Sequence, residues 1–169
     1  MSEIQTPQTD LLSNPNKLCF TGLFLPPEAR EALLAQFPAA YTNVDADHIT
    51  VGYYGDTPVE PDRATIPVGD VVEVPIIGQV IDKDLQVQTL IVGYPIPGKE
   101  HAHITISTGT NPDGSRVKPF LSNEAITNAV QKNTFMPVPE GTTLTMVTGY
   151  CLGDYDNGNG TIITTPVAA

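Results

Sequence analysis

The sequence predicts an α+β fold: antiparallel sheets, helices on the outside, and two β-rich halves that each contain one helix. Three observations lead there. Apolar, β-prone runs alternate with segments rich in Gly, Pro, Asp and Asn, and the 14 Gly and 16 Pro of the chain are the punctuation of short strands rather than of a helical bundle. Only two stretches carry helical spacing. The tripeptide His-Ile-Thr occurs twice, at 48–50 and 103–105, each time inside a β-prone run.

Taken in order, residues 1–16 are polar and contain Pro7, Asn14, Pro15 and Asn16, so a flexible lead-in is expected there. "KLCFTGLFL" (17–25) reads as the first strand. "PPEAREALLAQF" (26–37) reads as a helix: Pro27 suits its first turn, Glu28 its N-terminal dipole, and Ala29, Leu33 and Phe37 share a face. "HITVGYYG" (48–55) is the next strand, and 56–70 a loop rich in Asp, Pro and Thr. "VVEVPIIGQVI" (71–81) and "LQVQTLIVGYP" (85–95) are joined by the turn "DKD" as a hairpin, and "AHITIST" (102–108) follows as a third strand. After the turn-rich "GTNPDGS" (109–115), "SNEAITNAVQKN" (122–133) reads as a second helix, with Ser122 or Asn123 as N-cap and Ile126, Ala129 and Val130 on one face. "TTLTMVTGYCL" (142–152) and "GTIIT" (160–164), separated by "GDYDNGNG", complete the strands.

At 169 residues and 40% hydrophobic, residues 17–169 have the size and apolar content of one domain with a real core. The formal net charge is −11, with eight Lys and Arg. A long nucleic acid duplex is therefore excluded as partner, because it requires a basic face. A small anionic ligand is not excluded, since a local pocket can be rich in donors while the surface is acidic. Two cysteines, Cys19 and Cys151, read as thiols in a reducing compartment. "MSEIQTPQTD" has no basic segment followed by an apolar one, and no apolar stretch approaches the roughly 18 residues of a membrane span. The expectation is a soluble, cytoplasmic protein with no membrane partner.

The repeated phrase has a chemical meaning. In a strand, side chains alternate between faces, so His48 and Thr50 point one way with Ile49 behind them, and His103 and Thr105 do the same. Two such phrases facing each other bring two imidazoles and two hydroxyls to one cleft. A neutral imidazole can take a proton from an attacking hydroxyl or water while the other, as imidazolium, gives one to the leaving oxygen. The threonine hydroxyls can donate to the non-bridging oxygens as charge builds there. No metal or other cofactor is needed for this chemistry.

At these residues the chain resembles the 2H phosphoesterase superfamily, whose members carry two H-x-T/S motifs, one in each half of a pseudo-duplicated β-rich domain. The likeness runs over roughly residues 17–152, with "CFTGLFL", the helix after it, "HITVGYYG" and "HITISTGT…FLSNEAI" in the order that superfamily uses. The flanks look most like its phage and RNA-repair branch, which includes viral nucleases of the anti-CBASS type that destroy cyclic oligonucleotide immune signals. The resemblance implies a two-lobed fold with antiparallel sheets around a central cleft and helices outside. It also implies a metal-independent phosphodiesterase acting in the host cell cytoplasm if the protein is viral. By motif match it carries over His48, Thr50, His103 and Thr105 as the catalytic set.

Around that set, Tyr54 shares the face of His48 and Thr50 and is a candidate base platform. Ser107 lies one step beyond Thr105 on the same face by alternation. Arg116 and Lys118, in a long polar loop after the second motif, are candidates for phosphate, and Glu140 for a base amino group. The acidic surface favours a small cyclic or short oligonucleotide cleaved at 3′–5′ linkages, with an RNA 2′,3′-cyclic phosphate end as the other substrate. A non-catalytic nucleotide-binding protein and a phage structural protein are the rival classes. His101 makes "HAH" with His103, a spacing used in metal sites. The only other histidine is His48 and no acidic residue follows His103 before Asp113, so His101 reads as a cleft-edge or solvated residue.

Overall fold

The computed structural model of the chain describes residues 17–54, 65–153, 155 and 160–165. The expected lead-in at 1–16, most of the loop at 56–70 and most of the turn at 153–160 lie outside these. The architecture is α+β with antiparallel strand pairing, as the sequence predicts. The elements are β1 (Leu18–Phe24), α1 (Pro27–Gln36), β2 (Asn43–Val44), β3 (His48–Tyr53), β4 (Val71–Asp82), β5 (Val87–Val92), β6 (Ala102–Thr108), α2 (Ser122–Lys132), β7 (Met136–Pro137), β8 (Thr143–Leu152) and β9 (Thr161–Ile163). A 3₁₀ turn (Pro119–Leu121) leads into α2. Every strand and helix expected from the sequence is present, and the short β2, β7 and the 3₁₀ turn are additional. Among the described residues no helix is long and apolar enough to cross a membrane.

The chain divides into two compact units. One comprises residues 1–24, 50–71 and 147–169, and the other 25–49 and 72–146. In the first unit β1 pairs with β8, from Phe24 opposite Val147 to Leu18 opposite Leu152, and β9 adds to β8 through Tyr150–Ile163. The β1–β8 register slips between Leu18 and Phe20, so Cys19 and Phe20 both stand against Cys151. These three and Phe24 form a buried cluster with Tyr155 packed on it. The Phe20 and Tyr155 rings meet edge to face at 5.3 Å, a favourable aromatic geometry. Both cysteines are buried thiols.

In the second unit β6 lies between β5 and β2, and β5 pairs β4. β5 is buried along its whole length, so both its faces are covered. Residues directly opposite in an antiparallel pair share a face. Val87, Thr89 and Ile91 therefore face the same way as His103 and Thr105, and on this side Val80, Val87 and Ile91 pack with Val117 and with Ala125, Ile126 and Ala129 of α2. These are the helix positions whose spacing predicts an apolar face. The other side carries Gln88, 1% exposed, whose amide is fully used. It donates to Pro38 O (3.0 Å) and Gln79 Oε1 (2.9 Å) and accepts from Ala40 N (2.8 Å) and Ser107 Oγ (2.6 Å).

The helices form for local reasons. Pro27 stands at the start of α1, where its missing N–H costs nothing, and Leu33 and Phe37 anchor the buried side. α2 ends on Asn133 in the left-handed region, its N–H returning to Ala129 O and Val130 O. Its start differs from expectation. Neither Ser122 nor Asn123 is the N-cap; the cap position is Leu121, with no side-chain cap, because the 3₁₀ turn runs directly into the helix. That leaves the Ser122 hydroxyl for another use.

Candidate functional site

The site is built on the edge of β6. Residues 43–46 run antiparallel to it: Asn43 opposite Thr108, Val44 opposite Ser107, Asp45 N to Ile106 O at 2.8 Å and Ala46 N to Thr105 O at 2.9 Å. Each step forward on this segment is a step back along β6, toward His103. At Ala46, fully buried, φ is +52°, a left-handed conformation that costs a non-glycine residue about 1–2 kcal/mol. The turn it makes redirects the chain, and the next carbonyl, Asp47 O, accepts from Leu25 N at 2.9 Å. β3 then begins at His48.

His48 and His103 belong to the same compact unit, the one comprising 25–49 and 72–146. His48 is mostly buried, with 19% of its side chain exposed, and its Nδ1 lies 2.8 Å from Asp47 Oδ1. The carboxylate accepts the Nδ1 proton and fixes the ring, so any exchange with a ligand takes place at Nε2. The sequence reading missed Asp47. Adjacent residues of a regular strand point to opposite faces, so nothing in "DADHIT" announces a side-chain bond between them; the turn at Ala46 makes it.

His103 is different. Packing around its ring, then the nearby Lys99 ammonium, and then Coulombic interaction with His48, hold its pKa at about 4 instead of 6.5. Among the described residues nothing hydrogen-bonds its imidazole. It is a neutral ring at neutral pH, and it is close enough to His48 for the two to interact electrostatically.

Thr105 shares the His103 face and is 8% exposed. Its hydroxyl is 2.8 Å from that of Ser122, which is fully buried, and 3.5 Å from Pro119 O. With Ser122 donating to it, Thr105 Oγ1 directs its own proton to Pro119 O across a long 3.5 Å contact, one that an oxygen in the site can replace. Thr50 follows His48 by two residues in β3, is half-buried, and belongs to the other unit, as does Tyr54. Tyr54 N donates to Cys19 O at 2.7 Å. Its ring folds back over Gly52, where a Cβ would stand 3.3 Å from the Tyr54 hydroxyl.

Two of the expected contact residues are used elsewhere. The β5–β6 register slips between Gln88 and Thr89, leaving Ile106 as an extra residue: Thr105 faces Thr89, whereas Ser107 faces Gln88. This bulge turns Ser107 to the opposite face from Thr105. There it is fully buried, donating to Gln88 Oε1 and accepting from Tyr41 N at 3.1 Å. Simple alternation from 103 to 107 fails for that reason. Arg116 grips Asp45 with both terminal nitrogens, at 3.2 and 2.6 Å, and donates from Nη2 to Thr108 Oγ1 at 3.0 Å. Arg30 Nε donates to the Asp45 carbonyl at 2.9 Å, so Asp45 is clamped from both ends. Even with Arg116 beside it, burial leaves the Asp45 carboxyl pKa raised.

The loop after β6 is itself tightly bonded, with Thr110 bridging Arg116, Asn111 N on Ser115 O at 2.7 Å and Ser115 Oγ on Asp113 Oδ1 at 2.6 Å. Lys118 is exposed just before the 3₁₀ turn, and Glu140 is exposed in the turn before β8. His101 Nε2 is 3.5 Å from Glu100 Oε1. Among the described residues no three His, Cys, Asp or Glu side chains group as ligands for a metal ion.

The arrangement can therefore accept a proton at one imidazole and deliver one at the other, beside a threonine hydroxyl held by Ser122 and only loosely by Pro119 O. No protein-family model, no curated protein and no solved structure matches the chain.

Proposed function

We propose that the chain is a phosphodiesterase of the 2H type, cleaving 3′–5′ linkages of small cyclic or short oligonucleotides with two histidines as acid and base. The observation that carries this is the unlike pair: a neutral, desolvated His103 whose imidazole has no hydrogen bond among the described residues, near a His48 whose Nδ1 is held by Asp47. Environments that set two titratable groups apart are how acid and base roles are divided.

His103 Nε2 or Nδ1 takes the proton from the attacking 2′-hydroxyl or water. A base held near 4 is weak in the empty site, but a phosphate anion brought beside it compensates the imidazolium and lifts its pKa as the reaction needs it. His48 delivers a proton from Nε2 to the leaving oxygen, with Asp47 stabilising the ring orientation. Thr105, supported by Ser122, donates to a non-bridging oxygen. Thr50, in the first His-Ile-Thr phrase, is proposed for the same role on the motif match to the superfamily alone. The acidic surface, −11 overall, favours a ligand with few phosphates.

Purified protein is expected to degrade cyclic di- or trinucleotides in EDTA. His48→Ala and His103→Ala each lower the rate by about 10²–10⁴ while circular dichroism remains that of the wild type. Binding without turnover refutes the catalytic reading in favour of a nucleotide-sequestering protein. Activity lost in EDTA and restored by zinc refutes the metal-independent mechanism.

A further inference from the structure

His101, Lys99 and Glu100 line a cavity of about 100 Å³ with Asn123, Ile126 and Thr127 of α2. By volume it holds several waters or one phosphate group. Its wall carries the Lys99 ammonium, the His101 imidazole and the Asn123 amide, one of whose N–H groups donates to Phe120 O at 3.1 Å, beside Ile126, which is 2% exposed; the Thr127 hydroxyl donates to Asn123 O at 3.0 Å and offers its oxygen only. That is a donor-rich lining. The carboxylate in the set, Glu100, is 88% exposed and reaches His101 only at 3.5 Å, a contact that an incoming anion can displace into water. Arg116, one of the two cations that the sequence points to, is occupied by Asp45. Lys99, by contrast, lies near enough to His103 to act on its charge, and His101 is two residues from His103 in the chain, so the cavity lies near His103 without being lined by it.

The spacing gives the cavity a purpose. His101 stands just before β6 and precedes His103 by two residues, about 6.6 Å if the strand rise extends to it. That is of the order of the repeat from one phosphate to the next along a nucleotide chain. We propose that the Lys99–His101–Asn123–Thr127 cavity is a second phosphate subsite, receiving the phosphate one nucleotide away from the scissile one. The proposal rests on the phosphodiesterase reading for its substrate, and it makes the protein selective for ligands with at least two phosphates over mononucleotides. It also answers why the third histidine of the chain stands in "HAH": His101 holds the neighbouring phosphate, and His103 works on the reacting one.

The test compares a 3′,3′-cyclic dinucleotide with a nucleoside 2′,3′-cyclic monophosphate as substrates of the full chain. His101→Gln and Lys99→Met are each expected to raise KM for the dinucleotide about tenfold, the usual scale for losing one charge-assisted hydrogen bond. The ratio of kcat/KM between dinucleotide and mononucleotide falls accordingly. Equal losses on both substrates, or none on either, overturn the subsite. A second measurement does not need turnover. The three histidines give three resolvable ring-proton signals, and titration with 5′-phosphorylated diadenylate should shift that of His101, whereas adenosine shifts none. A silent His101 signal in a protein that does cleave the dinucleotide refutes the subsite alone. A shifted His101 signal in a protein that cleaves neither substrate supports the subsite and refutes the catalytic reading.

Discussion

The histidine at 103 makes a stability prediction that is independent of any substrate. Its pKa is about 4 in the folded chain and 6.5 when exposed. Well above pH 6.5 both forms are neutral and the residue contributes nothing to pH dependence. As pH falls below 6.5 the unfolded chain takes up a proton that the folded chain refuses, so stability is lost on acidification and the loss levels off below pH 4. For a single site with these two pKa values the loss is about 0.8 kcal/mol at pH 6, about 2 kcal/mol at pH 5 and about 3 kcal/mol at pH 4. Carboxylates titrate in the same range, and Asp45, with its raised pKa, acts in the opposite sense, becoming relatively stabilising as pH falls through the ordinary carboxylate range. The informative quantity is therefore the difference between wild type and His103→Gln. Urea unfolding of both proteins at pH 7, 6, 5 and 4.5 should show their stabilities converging or crossing, with the wild type losing about 2 kcal/mol more than the variant between pH 7 and 5. Parallel curves, or a His103 ring proton titrating near 6.5 by NMR, would refute the claim that packing and neighbouring charge keep this imidazole neutral.

Other outcomes follow from the same geometry. Asp47→Asn removes the acceptor of the His48 Nδ1 proton and is expected to lower turnover about ten- to a hundredfold, with thermal stability little changed; wild-type kinetics would show that His48 needs no orienting group. Arg116→Ala leaves the partly buried Asp45 carboxylate without its cation and should cost about 1–3 kcal/mol in chemical denaturation. Adding Asp45→Asn to that variant should recover part of the loss, and an additive double mutant would mean the pair is not coupled. Gly149→Ala places a Cβ on the carbonyl oxygen of Ile163, so β9 must shift from β8. A loss of about 1–3 kcal/mol and faster proteolysis near 160 are expected, and an unchanged Tm would argue against the β8–β9 pairing.

Much of this protein is written in its local pattern. Pro27 and Glu28 with Leu33 and Phe37 mark α1, and Ile126, Ala129 and Val130 mark the buried face of α2, because helical periodicity is carried by residues three and four apart. β4 alternates buried and exposed residues, and β6 begins and ends where "AHITIST" does. The β character of both His-Ile-Thr phrases is legible for the same reason. Three features of the site are not. The bulge that leaves Ile106 over and turns Ser107 away depends on which residue of β5 sits opposite, a matter of register between strands. The capture of Arg116 by Asp45 joins residues 71 positions apart. The Asp47–His48 bond exists because Ala46 accepts a left-handed backbone that its own side chain disfavours.

The amino-acid sequence by itself determined where strands, helices and turns fall, and which two short phrases carry an imidazole and a hydroxyl on one face. Only the tertiary structure decided what each imidazole is. It gave one a carboxylate and the other a desolvated setting near the Lys99 ammonium, and it brought both into one compact unit. The physical reason is that side-chain direction follows from backbone periodicity, which is local. Protonation state follows from burial and from charges brought close by packing, and no stretch of sequence contains those alone.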